Sequence, residues 1–211
     1  MKYSFNPPSL IKRIFNDFIW ESSVNKVLLT FDDGPLPETT PIILKTLDKL
    51  HIKALFFCVG NNSSKYPGLI SEIINQNHYI GFHSSQHQNI NRLPDAEFKF
   101  QLSEFKLLLK EKYDYPLRYF RPPYGKFNLR TGKILKEAGF VNVMWSLLTY
   151  DYKNDLNLVK FAVDKYLKND SIVVFHDSLK SKNIIVDSLE ILMETMNKNG
   201  FEFGDPSECL K

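Results

Sequence analysis

The adjacent carboxylates Asp32 and Asp33 close an apolar run in VLLTFDDGPLP, residues 27–37. Two negative charges at the end of a core strand cost stability unless something nearby compensates them. His83 and His87 follow another apolar run, in GFHSSQH, four residues apart, so one helical turn would point both imidazoles the same way. Two imidazoles and one carboxylate make a three-ligand divalent-metal site with positions left open for water and substrate. Zinc is the default for such donors, and iron(II), cobalt, manganese or nickel also suit them. The metal lowers the pKa of its water towards about 7 and so supplies a nucleophile at neutral pH.

Hydrolysis at such a site needs a base to take the proton of water and an acid to protonate the leaving group. A second carboxylate beside the metal-binding one fits the base, and His176, in IVVFHDS, fits the acid. Arg121, in RPPYG, fits a bidentate pair that keeps the base ionised and oriented. The backbone around Pro123-Tyr124-Gly125 can offer an N–H to a developing oxyanion. Taken singly, each residue has a plainer reading: a solvated histidine, a surface ion pair, a strand end. Asp177 keeps such a reading, as a cap for the loop or helix that follows, and His51 and His78, in polar loop contexts, receive no role.

These side chains need elements that bring them together. Apolar runs at 26–31, 54–59, 79–82, 118–120, 141–145 and 172–175, with a weaker one at 201–203, alternate with segments of helical spacing at 41–50, 67–75, 94–112, 129–138, 157–168 and 184–199. Pro41, Pro67 and Pro94 stand near helix starts, and Gly139 and Gly200 just past helix ends. Strand–helix alternation of this kind predicts an α/β domain with about seven parallel strands, in a closed or incomplete barrel, with an open doubly wound sheet as the alternative. In either arrangement the ends of five strands deliver Asp32-Asp33, His83 and His87, Arg121, Asp151 and His176-Asp177 to one rim.

Composition sets the outer bounds. The 211 residues are 43% hydrophobic and 24% charged, enough for one sizeable core, and a net charge of +3 with scattered basic residues does not point to nucleic acid. Two cysteines, Cys58 and Cys209, make neither a disulfide framework nor a thiolate metal site. Lys12, Arg13 and Asp17 interrupt SLIKRIFNDFIW, which therefore does not read as a secretory signal, and no run is apolar enough for a transmembrane helix. The default location on these readings is cytoplasmic. Leu10, Ile11, Ile14, Phe15, Phe18 and Ile19 fall on one helical face, so residues 1–23 read as an amphipathic helical extension packed on a domain of residues 24–211. Contact of that helix with a membrane surface is the lesser alternative.

TFDDGP, HSSQH, RPPYG, YDY and VFHDS stand in an order and spacing that resemble the polysaccharide deacetylases, the NodB-homology enzymes of carbohydrate esterase family four. The likeness runs from about residue 26 to 203 and implies a distorted (β/α) barrel with fewer strands than eight. It implies metal-dependent removal of N-acetyl groups from amino sugars of peptidoglycan, chitin or a related glycan. Position by position, Asp32 matches the catalytic base, Asp33, His83 and His87 the metal ligands, and Arg121 the residue that orients the base. Tyr124 matches the position whose backbone N–H helps hold the oxyanion, His176 the general acid, and Asp151 the carboxylate that tunes it.

Leu148, Tyr152 and Val174 depart from the family pattern: an aspartate often stands at the first, tryptophan at the second and leucine at the third. Tyr152 still offers an aromatic wall to an acetyl group or sugar ring. An O-acetyl esterase of acetylated glycans, a non-catalytic glycan-binding module and an iron(II) oxygenase are the rival readings. The intact set of base, acid and ligands weighs against the second, and Arg121 and His176 facing a second aspartate against the third.

Overall fold

The computed structural model describes residues 3–211. Its sheet has seven strands, all parallel: β1 Leu28–Asp32, β2 Leu55–Cys58, β3 Tyr79–Phe82, β4 Tyr119–Phe120, β5 Val141–Asn142, β6 Leu147–Leu148 and β7 Ile172–His176, in the order β5-β4-β3-β2-β1-β7-β6. Helices α1 Ser9–Ile14, α2 Thr40–Leu50, α3 Gly60–Lys65, α4 Pro67–Asn75, α5 Asp95–Tyr113, α6 Leu129–Glu137, α7 Leu156–Tyr166, α8 Ile185–Asn199 and α9 Pro206–Cys209 complete it. Gly139 and Gly200 adopt the left-handed backbone expected just beyond helix ends, with φ of +70° and +67°.

The two edge strands, β5 and β6, are only five residue steps apart along the chain, a reach of at most about 18 Å. A flat seven-stranded sheet would hold them about 29 Å apart, so the sheet has to curl. What remains of the gap is crossed by the N-terminal segment. Ile19 bonds Asn142 and Met144 through its backbone on the β5 side, and the Phe5 carbonyl accepts the Leu148 N–H on the β6 side. The expected long amphipathic helix is therefore absent: α1 stops at Ile14, because Phe18 and Trp20 bury themselves beside Met144 and the Ile19 backbone pairs as a strand. Among the described residues no helix is long and apolar enough to cross a membrane.

Two further expectations shift. The run 141–145 forms a sheet strand only at its start, with a single bridge from Val143 to Ile19 beyond it, and the seventh strand is β6; residues 201–203 contribute a single bridge, Val27 to Phe203. His78 is no loop residue in water: it is buried and accepts the Ala54 N–H at Nδ1.

Side chains alternate across each strand. Leu29 and Phe31, Phe56 and Cys58, Ile80 and Phe82, and Val173 and Phe175 face the helices in the main apolar cluster. A smaller cluster of Leu28, Leu55, Phe57, Val143 and Ile172, with Cys209 and Leu210, fills the concave side. The same alternation commits Thr30, Asp32, His83, Arg121, Val174 and His176 to that concave side, which is how a plain period of two builds a polar site at one end of an apolar barrel.

Candidate metal centre and its surroundings

Asp32 ends β1, in register with His176 at the end of β7, and the Asp177 N–H donates to the Asp32 carbonyl at 2.8 Å. The next residue, Asp33, leaves the strand with φ +81° and turns its carboxylate away from that of Asp32. Asn62 of α3, a helix not anticipated from the sequence, fixes this turn by donating to the Asp33 carbonyl at 2.9 Å, while the Val59 N–H bonds the Gly34 carbonyl.

His83 and His87 do not share a helix. They lie on a loop after β3 in which Ser84 and His87 both have positive φ. The loop still brings the rings together, with centroids 5.0 Å apart. Asp33 Oδ1 lies 3.1 Å from His87 Nε2 and 3.7 Å from His83 Nε2, and one donor atom from each of the three residues falls within 4.8 Å of the others.

This cluster fits a divalent cation on three counts. Asp33 Oδ1 is buried and accepts no hydrogen bond. His83 Nδ1 donates to the Arg121 carbonyl at 2.8 Å, which leaves the Nε2 lone pair facing the carboxylate. Burial pushes the His83 imidazole below its usual pKa, despite the nearby Asp32, and so favours the neutral ligand form. Burial alone would raise the Asp33 carboxyl, but His87 Nε2 close beside it and the other surrounding imidazoles hold it well below the usual carboxylate range.

Arg121 is completely buried in the barrel interior. Its Nη1 donates to Asp32 Oδ1 and to Thr30 Oγ1, each at 2.8 Å, its Nε to the Val143 carbonyl at 2.9 Å and its Nη2 to the Met144 carbonyl at 2.6 Å. The guanidinium carbon stands 4.0 Å from the Phe57 ring centroid. The expected bidentate fork is thus a single bond to the carboxylate, the other donors going to groups that also need partners. Across the pocket, Asp151 is fully buried, accepts the His176 backbone N–H at 2.8 Å and bonds its Nδ1 at 2.7 Å. Burial would lower the His176 imidazole, but the charge and hydrogen bond of Asp151 outweigh it and raise the value to about 9.

A cavity of about 260 Å³ lies between these groups, lined by Asp32, Asp33, His83, His87 and His176 and walled by Tyr124, Trp145, Leu148, Tyr152 and Val174. Tyr124, at φ +60°, sets its ring edge-on to His87, and Tyr152 sets its ring edge-on to His176. All nine residues selected from the sequence therefore meet around one cavity or hold a residue that lines it. Trp145 was not among them. Its signal is Gly125, where φ is +61° and a Cβ would sit 2.5 Å from the indole.

Asp177 was also misread, since it caps nothing. It is buried behind the Asp32–Pro35 turn, where its carboxylate accepts the hydroxyls of Thr39 and Thr40, the latter at 2.6 Å, and a Cβ on Gly34 would collide with it. Burial raises its carboxyl to about 7, against the opposing pull of the two threonine bonds.

A curled parallel sheet with an aspartate–histidine–histidine cluster at the strand ends defines an α/β fold with a candidate metal site of the kind that hydrolases use. Residues 21–143 match the family model for polysaccharide deacetylases. A peptidoglycan-N-acetylglucosamine deacetylase of Bacillus cereus is 30% identical over 197 residues, covering 91% of this chain and 92% of its own length. Another of the same name and organism is 35% identical over 150 residues, 71% of this chain, although the chain spans only 54% of that relative. The solved Bc1960 peptidoglycan N-acetylglucosamine deacetylase superimposes with a TM-score of 0.87 at 27% identity, covering 96% of each chain. The chain belongs to the polysaccharide deacetylase family.

Proposed function

We propose that this chain is a metal-dependent deacetylase that hydrolyses the N-acetyl group of an amino sugar within a glycan, with zinc held by Asp33, His83 and His87. The observation that carries the reading is the buried, unpartnered Asp33 Oδ1 between two imidazoles, flanked by a buried Asp32–Arg121 pair and a His176–Asp151 pair. When bound there, a divalent cation supplies Lewis acidity, lowering the pKa of water towards about 7 and polarising the amide carbonyl.

The chain's own residues supply the proton transfers. Asp32, oriented through Oδ1 by Arg121, keeps Oδ2 for the proton of the attacking water. His176, held by Asp151 and protonated at neutral pH, gives its proton to the departing nitrogen as the carbon–nitrogen bond breaks, so that acetate and a free amine result. The Tyr124 backbone N–H serves the developing oxyanion. Leu148 and Val174 wall the methyl group, with Trp145 and Tyr152 beside the sugar.

Acetate release from N-acetylglucosamine oligomers, peptidoglycan and acetylxylan, with and without chelator, tests the reading. Chelator-sensitive release from the first two supports it. Release from acetylxylan alone replaces it with an O-acetyl esterase, and binding with no release makes the chain a glycan-binding module.

A further inference from the structure

The backbone between His83 and His87 is held in a conformation that needs support. Ser84 and His87 take φ of +63° and +52°, a left-handed geometry that residues with a Cβ adopt only at a cost, so the surrounding structure has to impose it. Ser84 is completely buried, and the polar groups of this loop need partners inside the protein. On one side α3 supplies them. The Gly60 N–H donates to the Ser84 carbonyl at 3.0 Å and the Asn61 N–H to the Ser85 carbonyl at 2.9 Å. On the other side one side chain of α5 does so: Gln101 Oε1 accepts the Ser85 N–H and Gln88 Nε2, each at 3.2 Å. Gln88 Oε1 in turn accepts the Gln86 N–H at 2.8 Å and the Ser84 hydroxyl at 3.1 Å.

Gln101 stands where packing alone would place an apolar residue. Phe98, Leu102, Phe105 and Leu109 form the buried stripe of α5, and Gln101 lies within it, only 5% exposed. An amide is unfavourable there unless its hydrogen bonds are made. They are made, because besides the two bonds it accepts, its Nε2 donates to Glu97 Oε1 at 2.8 Å, one turn back on the same helix. We propose that Gln101 is a positioning residue for the metal centre, clamping residues 84–88 directly and through Gln88 so that both imidazoles face Asp33. The inference rests on the metal-centre reading given above and extends it to a helix outside the cavity. Gln101 acts through the loop backbone and Gln88, not through either imidazole.

Zinc affinity, measured by competition with a chromophoric chelator, tests this without reference to turnover. Gln101→Met keeps the length of the side chain and removes the acceptor. It should weaken zinc about tenfold, the low end for groups that orient ligands, and alter the absorption bands of the cobalt-loaded protein. Gln88→Met cuts the same link from the loop side, away from the α5 core, and serves where Gln101→Met does not fold. Both changes together should weaken zinc no more than the worse one alone, because they break one link. Gln101→Glu combined with Glu97→Gln restores acceptor and donor in reversed order and should recover most of the affinity. Zinc affinity and cobalt bands unchanged in the methionine variants overturn the proposal even if thermal unfolding shifts, since Gln101 then only fills space. A reversed pair as weak as Gln101→Met overturns it too. If the wild-type chain takes up no metal, the metal-centre reading has failed, and the His87 ring resonances in NMR spectra decide on the clamp. Resonances that move in both methionine variants retain it, and unmoved ones overturn it.

Discussion

Arg121 Nη1 stands 2.8 Å from Asp32 Oδ1 inside the curled sheet, where the guanidinium has no contact with solvent and the carboxylate almost none. Removing one partner of such a pair leaves the other charge uncompensated, which typically costs about 3–5 kcal/mol. Arg121→Met is expected to lower the unfolding free energy by about that amount in urea titrations. Arg121→Lys should recover little of it, because an ammonium cannot reach the four acceptors that the fork spans. A loss under about 1 kcal/mol in Arg121→Met would show the pair to be effectively solvated.

The tandem aspartates predict a split between binding and turnover. Asp33→Ala should lose most of its zinc on dialysis, because the carboxylate between the two imidazoles is gone. Asp32→Asn should retain zinc near one equivalent and lose about 10²–10⁴-fold in kcat, the range for a positioned general base. Metal analysis of both variants beside acetate release checks this. Zinc lost equally from both would contradict the separate roles.

The His176–Asp151 pair sets a pH dependence. The imidazole is raised above its ordinary 6.5 to about 9, so it is protonated and able to act as an acid through neutral pH. Activity is expected to fall on the alkaline side with an inflection at or below about 9, the lower value following when a cation cancels the help that Asp33 gives. Asp151→Asn should move that inflection down by about one pH unit or more. Stability follows the same sign: the pair's contribution is fully present below 6.5 and is lost as pH rises through about 9. An alkaline limb unchanged in Asp151→Asn would remove His176 from the role of acid.

Much of this site was legible because strand ends and chemistry coincide in the sequence. Asp32, His83, Arg121 and His176 each follow an apolar run, and period-two alternation decides which of them face inward. Contacts between distant segments were not legible. Nothing local announces that Asn62 holds the Asp33 carbonyl, that Trp145 closes over Gly125, or that Asp177 takes the hydroxyls of Thr39 and Thr40. The N-terminal segment misled for a related reason. Its apolar spacing suits a helix through Ile19, but the gap between β5 and β6 offers backbone partners that a helix would leave empty.

Asp177 supports the turn that carries both aspartates, so its loss should be felt first in folding and metal affinity. Asp177→Ala leaves two buried threonine hydroxyls without an acceptor, each costing about 1–3 kcal/mol. Asp177→Asn keeps an acceptor oxygen and should be milder. Thermal unfolding with and without zinc checks this, and an Asp177→Ala protein as stable as wild type would show that the turn is held elsewhere.

The measurement closest to the central claim is acetate release from an N-acetylglucosamine oligomer by the purified chain, stripped of metal and then reloaded. Activity should disappear with the metal, return on adding about one equivalent of zinc, and fail to return in Asp33→Ala. Release that persists in the demonstrably metal-free protein would contradict hydrolysis at the Asp33–His83–His87 centre.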